Sequence, residues 1–578
     1  MSAALAEFVE IIAGDTRWNV APDVRDQILG PDGFRLDEWL SAGQARVVKH
    51  GPHRSVYAVS LPELMIHVKH NRVANIRARL RELARPSKAR GECRRALSVA
   101  ARHVPTVTPL AIGERLEGPN KGESFLITRS LAGATPLDAF IVSVMPTLDE
   151  RSRATLQQRL AVALGQFLAD LHEGGVLHHD LHAGNILVCL SAAGDPRLHL
   201  VDLHSVRLGG ALDWRTSRAN LVVFNRWFTL HAGRTDRLRF WRAYYRARFE
   251  SCDWPRLTGV RPGKSATALA GELEKRTGQS SADFWKRRDR RCQLNTRHFK
   301  RVRGRGVVGH AVADLDSTAL AALLADPDEP FRRPRIQFLK NSRSSKVVEF
   351  DALIAGRLQR VVYKRFEVKT RRGPWLSRLR PPPALRSWIN GHGLRERCLS
   401  TARPLAVLHR RRLGLLYQGY LLTLKVPAAV ELPRYLDNLL SLSCAGRRAV
   451  IRCRIDQIGR FVGQMHHRGV SHRDLKGSNL LISETGGSHP TDLSVIDLVG
   501  VTLAGRLTKS RCVQNLARLN ASVGSHPALT RTDLLRFLRI YLQWGIKGNS
   551  GWKDRWREIG KVTQAKRERN ARNGRPLL

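Results

Sequence analysis

Two stretches of this chain carry nearly the same set of reactive side chains. Residues 177–188 read L-H-H-D-L-H-A-G-N-I-L-V, and residues 471–482 read S-H-R-D-L-K-G-S-N-L-L-I. Each has an H-x-D with an asparagine five residues after the aspartate, and a second aspartate follows, Asp202 or Asp497. Phosphoryl transfer asks a protein for such a set: a base beside the attacking hydroxyl, oxygen ligands for magnesium and a cation on the nucleotide phosphates. In the first stretch Asp180 is placed as the base, with Asn185 and Asp202 as the magnesium ligands. Lys69, which ends the apolar run M-I-H-V-K, would hold the phosphates of ATP, and Glu92 in the following helix is the natural partner to orient it.

The second stretch supplies Asp474 as base, Asn479 and Asp497 as metal ligands, and Lys364 at the end of V-V-Y-K as the phosphate cation. Lys476, two residues after Asp474, can touch the transferred phosphate, where the first stretch has His182. Matching P-L-A at 109–111 with P-L-A at 404–406 puts Ile389 or Asn390 near the place of Glu92, so Lys364 has no secure acidic partner. Glu396 falls too late in the helix. Neither V-V-K-H-G-P-H-R-S-V-Y at 47–57 nor F-L-K-N-S-R-S-S-K-V-V at 338–348 contains G-x-G-x-x-G, although backbone amides of a hairpin can still cover phosphates.

The elements that must position these side chains also occur twice. Asp180 and Asp474 stand 294 residues apart, as do Asn185 and Asn479, while Asp202 and Asp497, and Lys69 and Lys364, are 295 apart. Chance similarity of one short motif would not hold four spacings within one residue, so the chain reads as a tandem of two homologous domains. Residues 47–61 alternate like a strand pair, and 86–102 has helical periodicity with a basic outer face. Segments 159–175 and 454–469 read as amphipathic helices, stopped by glycine just before each H-x-D. The expected layout is a first domain at 17–250, a basic linker at 251–295, a second domain at 296–560 and a loosely held basic tail at 561–578.

Hydrophobic residues make up 42% and charged residues 26% of the 578, a globular composition. No apolar run is long enough to span a bilayer, and residues 1–16 lack a cationic start followed by an apolar stretch, so a cytoplasmic protein is expected. The eight cysteines form no C-x-x-C pair and read as reduced packing residues. Lysine and arginine number 98 against 50 acidic residues, a balance of +48 that attracts polyanions and equally describes solvated basic faces.

H-x-D-L-x-x-x-N-x-L, then V-D-L or I-D-L where a protein kinase has D-F-G, then Asn220 or Asn515 and a closing R-F-x-R-x-Y, resemble the lipopolysaccharide kinase family. T-V-T-P-L-A-I at 106–112 and T-A-R-P-L-A-V at 401–407 add to the likeness, which covers most of both halves. The resemblance implies an α+β, protein-kinase-like fold in each half, with a small β-rich N-lobe and a helical C-lobe. It also implies ATP and Mg2+ as cofactors and phosphorylation of a Kdo or heptose hydroxyl on a glycolipid core. An anionic glycolipid acceptor, met at the inner face of the cytoplasmic membrane, fits the basic charge. Members are usually single-domain, so the doubling leaves open whether both halves phosphorylate or one binds acceptor or membrane.

H-R-D-L-K-G-S-N is close to the protein serine/threonine kinase form, but no A-P-E follows to anchor a peptide-binding segment. D-L-H-A-G-N-I-L-V resembles the aminoglycoside-type phosphotransferases, whose longer acceptor-binding insert is hard to fit into 208–250. A non-catalytic basic adaptor would leave two ordered sets of base and magnesium residues unexplained. No nucleic-acid signature accompanies the charge, and none is expected as a partner.

Overall fold

The computed structural model describes residues 8–574, apart from 32, 52, 74–85, 119, 251–264, 335, 343–344, 368–380, 413–414, 484–492 and 545–550. The chain divides into two compact units, Met1–Ser280 and Ser281–Leu578.

The first unit opens with a seven-stranded sheet in the order Val9–Ala13, Thr16–Val20, Pro109–Arg115, Ser124–Arg129, Met65–Asn71, Arg54–Ser60, Ala45–Lys49. All its pairings are antiparallel. Alternation along Arg54–Ser60 and Met65–Asn71 sends Val59, Ile66 and Val68 into a core with Trp18, Trp39 and Phe125. The helix Lys88–Ala100 is capped by Ser87, whose Oγ accepts the Arg90 N–H, and buries Ala89, Glu92, Cys93 and Ala96.

The rest of the unit is mainly helical. Asp149 caps Glu150–Glu173, which packs Leu160, Leu164, Phe167 and Leu168 against Phe224 and Tyr244 of two later helices. Gly175, at φ +68, turns the chain out of this helix toward the H-x-D loop; a Cβ there would run into the carbonyl of Gly209. Small sheets of three and two strands then carry the loops that hold Asp180 and Asp202.

The second unit repeats this plan. Its seven strands run Phe299–Gly304, Val307–Val312, Pro404–Arg412, Leu415–Leu424, Arg357–Phe366, Ser345–Ile354, Phe338–Ser342, the same order. Register repeats too: Lys69 pairs with Leu126, and Lys364 with Leu421. Gly469, at φ +73, does what Gly175 does.

Three expectations about boundaries change. The first sheet begins at Val9, ahead of the expected start at 17, because Val9–Ala13 pairs with Thr16–Val20. The stretch expected as a linker at 251–295 contains the helix Ala266–Arg288, whose Leu269 and Leu273 belong to the first unit's core. Its Trp285 lies under the Arg397 guanidinium in the second unit; residues 251–264 lie outside the described residues. The expected tail is mostly a helix, Trp552–Arg572, held by buried Ile559 and Thr563, with 575–578 outside the described residues. Composition alone read these helices as loose because their outer faces are densely basic while only a narrow stripe is apolar. Among the described residues no helix is long and apolar enough to cross a membrane.

Candidate active site

In the first unit, strand Met65–Asn71 and helix Lys88–Ala100 bring Lys69 Nζ to 2.5 Å from Glu92 Oε1. The pair is shielded, with side chains 13% and 5% exposed. The helix is anchored by a two-pronged Arg90–Glu114 contact at 2.7 and 3.1 Å.

The H-x-D loop is organised by its histidine. His178 Nδ1 accepts the Asp180 N–H at 3.2 Å, which leaves the proton on Nε2 to be donated to Val201 O at 3.3 Å. One ring thus ties the Asp180 loop to the residue before Asp202. Burial pushes the His178 pKa down, so the ring stays neutral and able to play both parts. Asn185 donates Nδ2–H to Asp180 O at 2.8 Å, leaving its amide oxygen as the atom that can ligate a cation. The Asp180 carboxylate is 64% exposed, with His182 Nε2 3.6 Å away.

Asp202 sits in the left-handed region (φ 60, ψ 53), as Asp497 does in the second unit (φ 57, ψ 58). A non-glycine residue held there costs of order 1 kcal/mol or more and persists only where its surroundings over-determine it. Here Arg54 Nη2 stands 3.1 Å and His204 Nδ1 2.7 Å from Asp202 Oδ1. Burial raises the Asp202 pKa, but Lys69, Arg54 and His204 outweigh it and bring it to about 2. The sequence reading missed Arg54. It lies at the foot of the hairpin that covers phosphates in kinases, and a cation where glycines are lacking was the available signal.

The second unit brings its own residues together differently. His472 repeats the tie, accepting Asp474 N–H at 3.1 Å with Nε2 3.1 Å from Ile496 O, and Asn479 donates to Asp474 O at 2.8 Å. Lys364, however, reaches Asp497 Oδ1 at 2.9 Å. The strand registers repeat at 295, and that offset carries Glu92 onto Ser387, correcting the expectation of Ile389 or Asn390. Ser387 is 2% exposed and its Oγ has no hydrogen-bond partner among the described residues. Asn390 instead donates to Leu498 O and Val501 O, and Glu396 pairs with Arg288 at 2.7 Å. Burial raises the Asp497 pKa, and Lys364 more than reverses it. Lys476 Nζ lies 3.8 Å from Asp474 Oδ2.

A buried triad, also unread in the sequence, braces each loop from below. His172 contacts the Tyr244 hydroxyl at 2.9 Å and Asn220 Oδ1 at 3.1 Å, and Asn220 donates to His178 O. His466, Tyr541 and Asn515 repeat it at 2.8 and 3.2 Å, with Asn515 accepting the His472 N–H. The Asn220 and Asn515 segments and the closing R-F-x-R-x-Y are thereby parts of one support.

The lipopolysaccharide kinase (Kdo/WaaP) family matches twice, over residues 48–244 and 341–541. Lipopolysaccharide core heptose(I) kinase WaaP of Pseudomonas aeruginosa is 31% identical over 151 residues, which is 25% of this chain and 54% of the relative. The chain thus spans about half the length of that relative. Among solved structures, WaaP in complex with acyl carrier protein aligns at 23% identity over 42% of this chain and 91% of the other, with a TM-score of 0.30. The maize sucrose-induced receptor kinase 1 kinase domain bound to AMP-PNP aligns at 15% identity over 45% and 85%, with a TM-score of 0.24. With each match containing the strand that carries the lysine, one H-x-D loop and the helices behind it, the chain belongs to the lipopolysaccharide kinase (Kdo/WaaP) family as a tandem of two kinase-like domains.

Proposed function

We propose that the protein is an ATP-dependent kinase of the lipopolysaccharide core, phosphorylating a Kdo or heptose hydroxyl, and that its first unit does the chemistry. The observation that carries this is the different fate of the two lysines. Lys69 is bonded to Glu92 and not to Asp202, whose Oδ1 meets Arg54 and His204 instead. Lys364, lacking such an acid, neutralises Asp497 itself.

The donor set of the first unit fits Mg2+. An ionised carboxylate and an amide oxygen are hard ligands, and this ion takes few of them when nucleotide phosphates complete its shell. Asp202 and Asn185 would hold it, and its chemistry there is to neutralise phosphate charge. Lys69 then binds the ATP phosphates in the orientation Glu92 imposes, and Arg54 adds a second cation from the hairpin. Asp180, open to solvent, hydrogen-bonds the sugar hydroxyl through Oδ and takes its proton as the oxygen attacks. His182 faces Asp180, where the second unit has Lys476. The basic surface draws the chain to an anionic glycolipid at the inner face of the cytoplasmic membrane.

The test is Mg-ATP turnover on deacylated inner-core lipopolysaccharide by wild type, Asp180→Asn and Asp474→Asn. Asp180→Asn should lose roughly 10²- to 10⁴-fold, the usual worth of a general base, with Asp474→Asn retaining most activity. Comparable losses in both variants would mean two working sites. Turnover on a generic protein but not on the glycan would favour the serine/threonine kinase reading drawn from H-R-D-L-K.

A further inference from the structure

One face of the first unit's sheet is turned away from its core. Along Met65–Asn71, Ile66 and Val68 enter the core, so alternation puts His67 and Lys69 on the opposite face. On the neighbouring strand Tyr57 and Val59 enter the same core, which puts Arg54, Val56 and Ala58 on that face too. The registers order it from end to end. Arg54 lies opposite Asn71, Val56 opposite Lys69 and Ala58 opposite His67, with Thr128 on the other flank of His67. Both cations and the Arg54–Asp202 contact therefore lie toward one end. His67 lies toward the other, one strand period or about 7 Å from Lys69.

The half-buried His67 ring is held in place. Its Nδ1 stands 2.8 Å from Ser130 Oγ, and Ser130 is itself fixed by donating its backbone N–H to Met65 O at 2.8 Å. Ser130 follows the strand Ser124–Arg129 and opens the segment leading to Leu137 and Phe140 of the helical core. The pair thus sits where the sheet passes over to the helices. Burial, then Lys69 and Arg46, push the His67 pKa down, which keeps the ring neutral. With Nδ1 engaged by Ser130, Nε2 is the polar atom left over, and it has no hydrogen-bond partner among the described residues. The second unit has neither residue. The offset that carries the pair His67–Thr128 onto Val362–Thr423 puts Val362 at the first place and Lys425, which meets Glu349 at 2.6 Å, at the second.

We propose that His67 is the residue of the first unit that contacts the base of a purine nucleotide, and that Ser130 positions it. With the phosphates on Arg54 and Lys69, the His67 end of the face is the part left for the base. Val56 and Ala58 offer that base an apolar surface, and Nε2 offers it one hydrogen bond. The Ser130 hydroxyl can donate or accept, so it supports whichever proton position on the ring the base requires. Val362 supplies apolar contact alone, so the second unit holds a base less tightly. The proposal rests on the reading of this cleft as a nucleotide site, and its test separates the base from the phosphates.

The experiment is calorimetric titration of the full chain, in a Lys364→Ala background that weakens the second unit's own cleft, with Mg-ATP and with the base-free probe magnesium tripolyphosphate. His67→Val installs the residue that the second copy already accommodates. It should weaken ATP about three- to tenfold, the worth of one hydrogen bond, and leave tripolyphosphate unchanged. Arg54→Ala should weaken both probes together. Ser130→Ala should weaken ATP alone and by less than His67→Val, and Ser130→Thr, which keeps the hydroxyl, should restore it. Unchanged ATP affinity in a folded His67→Val protein overturns the proposal, as does an equal loss for both probes, which would place His67 on the phosphates. A chain that binds neither probe before His67 is changed overturns both this proposal and the kinase reading. Should Asp180→Asn keep full glycan turnover while His67→Val loses ATP and keeps tripolyphosphate, the assignment of the chemistry fails and the base contact stands.

Discussion

Replacing Glu92 by Gln keeps the shape of the side chain and removes its charge, which isolates the ion pair that distinguishes the first unit. At 2.5 Å and an effective dielectric near 20, the gross attraction to Lys69 is about 7 kcal/mol. Removing one partner of so shielded a pair costs about 3–5 kcal/mol, because a cation is left unpaired. Lys69 has a second carboxylate in reach, since it already depresses the Asp202 pKa, and Lys364 makes that very choice with Asp497 at 2.9 Å. The loss in stability should therefore fall near the low end, about 3 kcal/mol. For a domain of this size that lowers the first unit's melting transition by roughly 6–12 °C and leaves the second unit's in place. Turnover should fall on the order of 100-fold, because the lysine is displaced from the phosphates onto a metal ligand. Calorimetry and Mg-ATP turnover on deacylated inner core would read both effects. A Glu92→Gln protein with unmoved transitions and activity within twofold of wild type would refute the argument that this pair separates the two units.

Arg54→Ala should raise the KM for ATP roughly five- to tenfold with a smaller change in kcat, since a cation on ground-state phosphates contributes mainly uniform binding; a pure kcat effect would count against its place over the nucleotide. Gly175→Ala should destabilise the first unit by more than about 2 kcal/mol, because its left-handed backbone and the nearby Gly209 carbonyl leave no room for a methyl group; denaturant unfolding measures it. Burial lowers His172 to about 3 and His466 to about 4, with Asn220 and Asn515 opposing. The unfolded chain protonates these rings below pH 6.5 while the folded chain does not, so their stability is intact above 6.5 and lost as pH falls toward those lower values. At pH 5 each should have cost about 2 kcal/mol, and His172→Gln should flatten the acid side of the first transition only. If the two transitions move together in that variant, the triads do not report on their own units.

Spacing alone carried a great deal. Four matched separations required a duplicated domain, and the period-two and helical stretches around Lys69, Glu92 and the H-x-D loops placed those side chains on the elements that now hold them. Such features are legible because periodicity and order along the chain are local properties, and a repeat turns weak motifs into mutually supporting ones. The basic helices at 266–288 and 552–572 were not legible as packed elements, since their burial depends on a stripe that composition averages away.

What spacing could not decide is which of two acids a lysine takes. Lys69 chooses Glu92 and Lys364 chooses Asp497 because the helix after the first lysine delivers a carboxylate, whereas the matching position of the second helix is the buried Ser387, a difference made by packing across more than twenty intervening residues. Arg54 meeting Asp202 is likewise a contact between segments far apart in the chain. The amino-acid sequence determined that there are two kinase-like domains and which residues each can offer; only the tertiary structure decided that one assembles its lysine–glutamate pair while the other joins its lysine to the second aspartate. Partner choice is a competition among Coulomb attraction, desolvation and reach, and those terms exist only once the chain is folded.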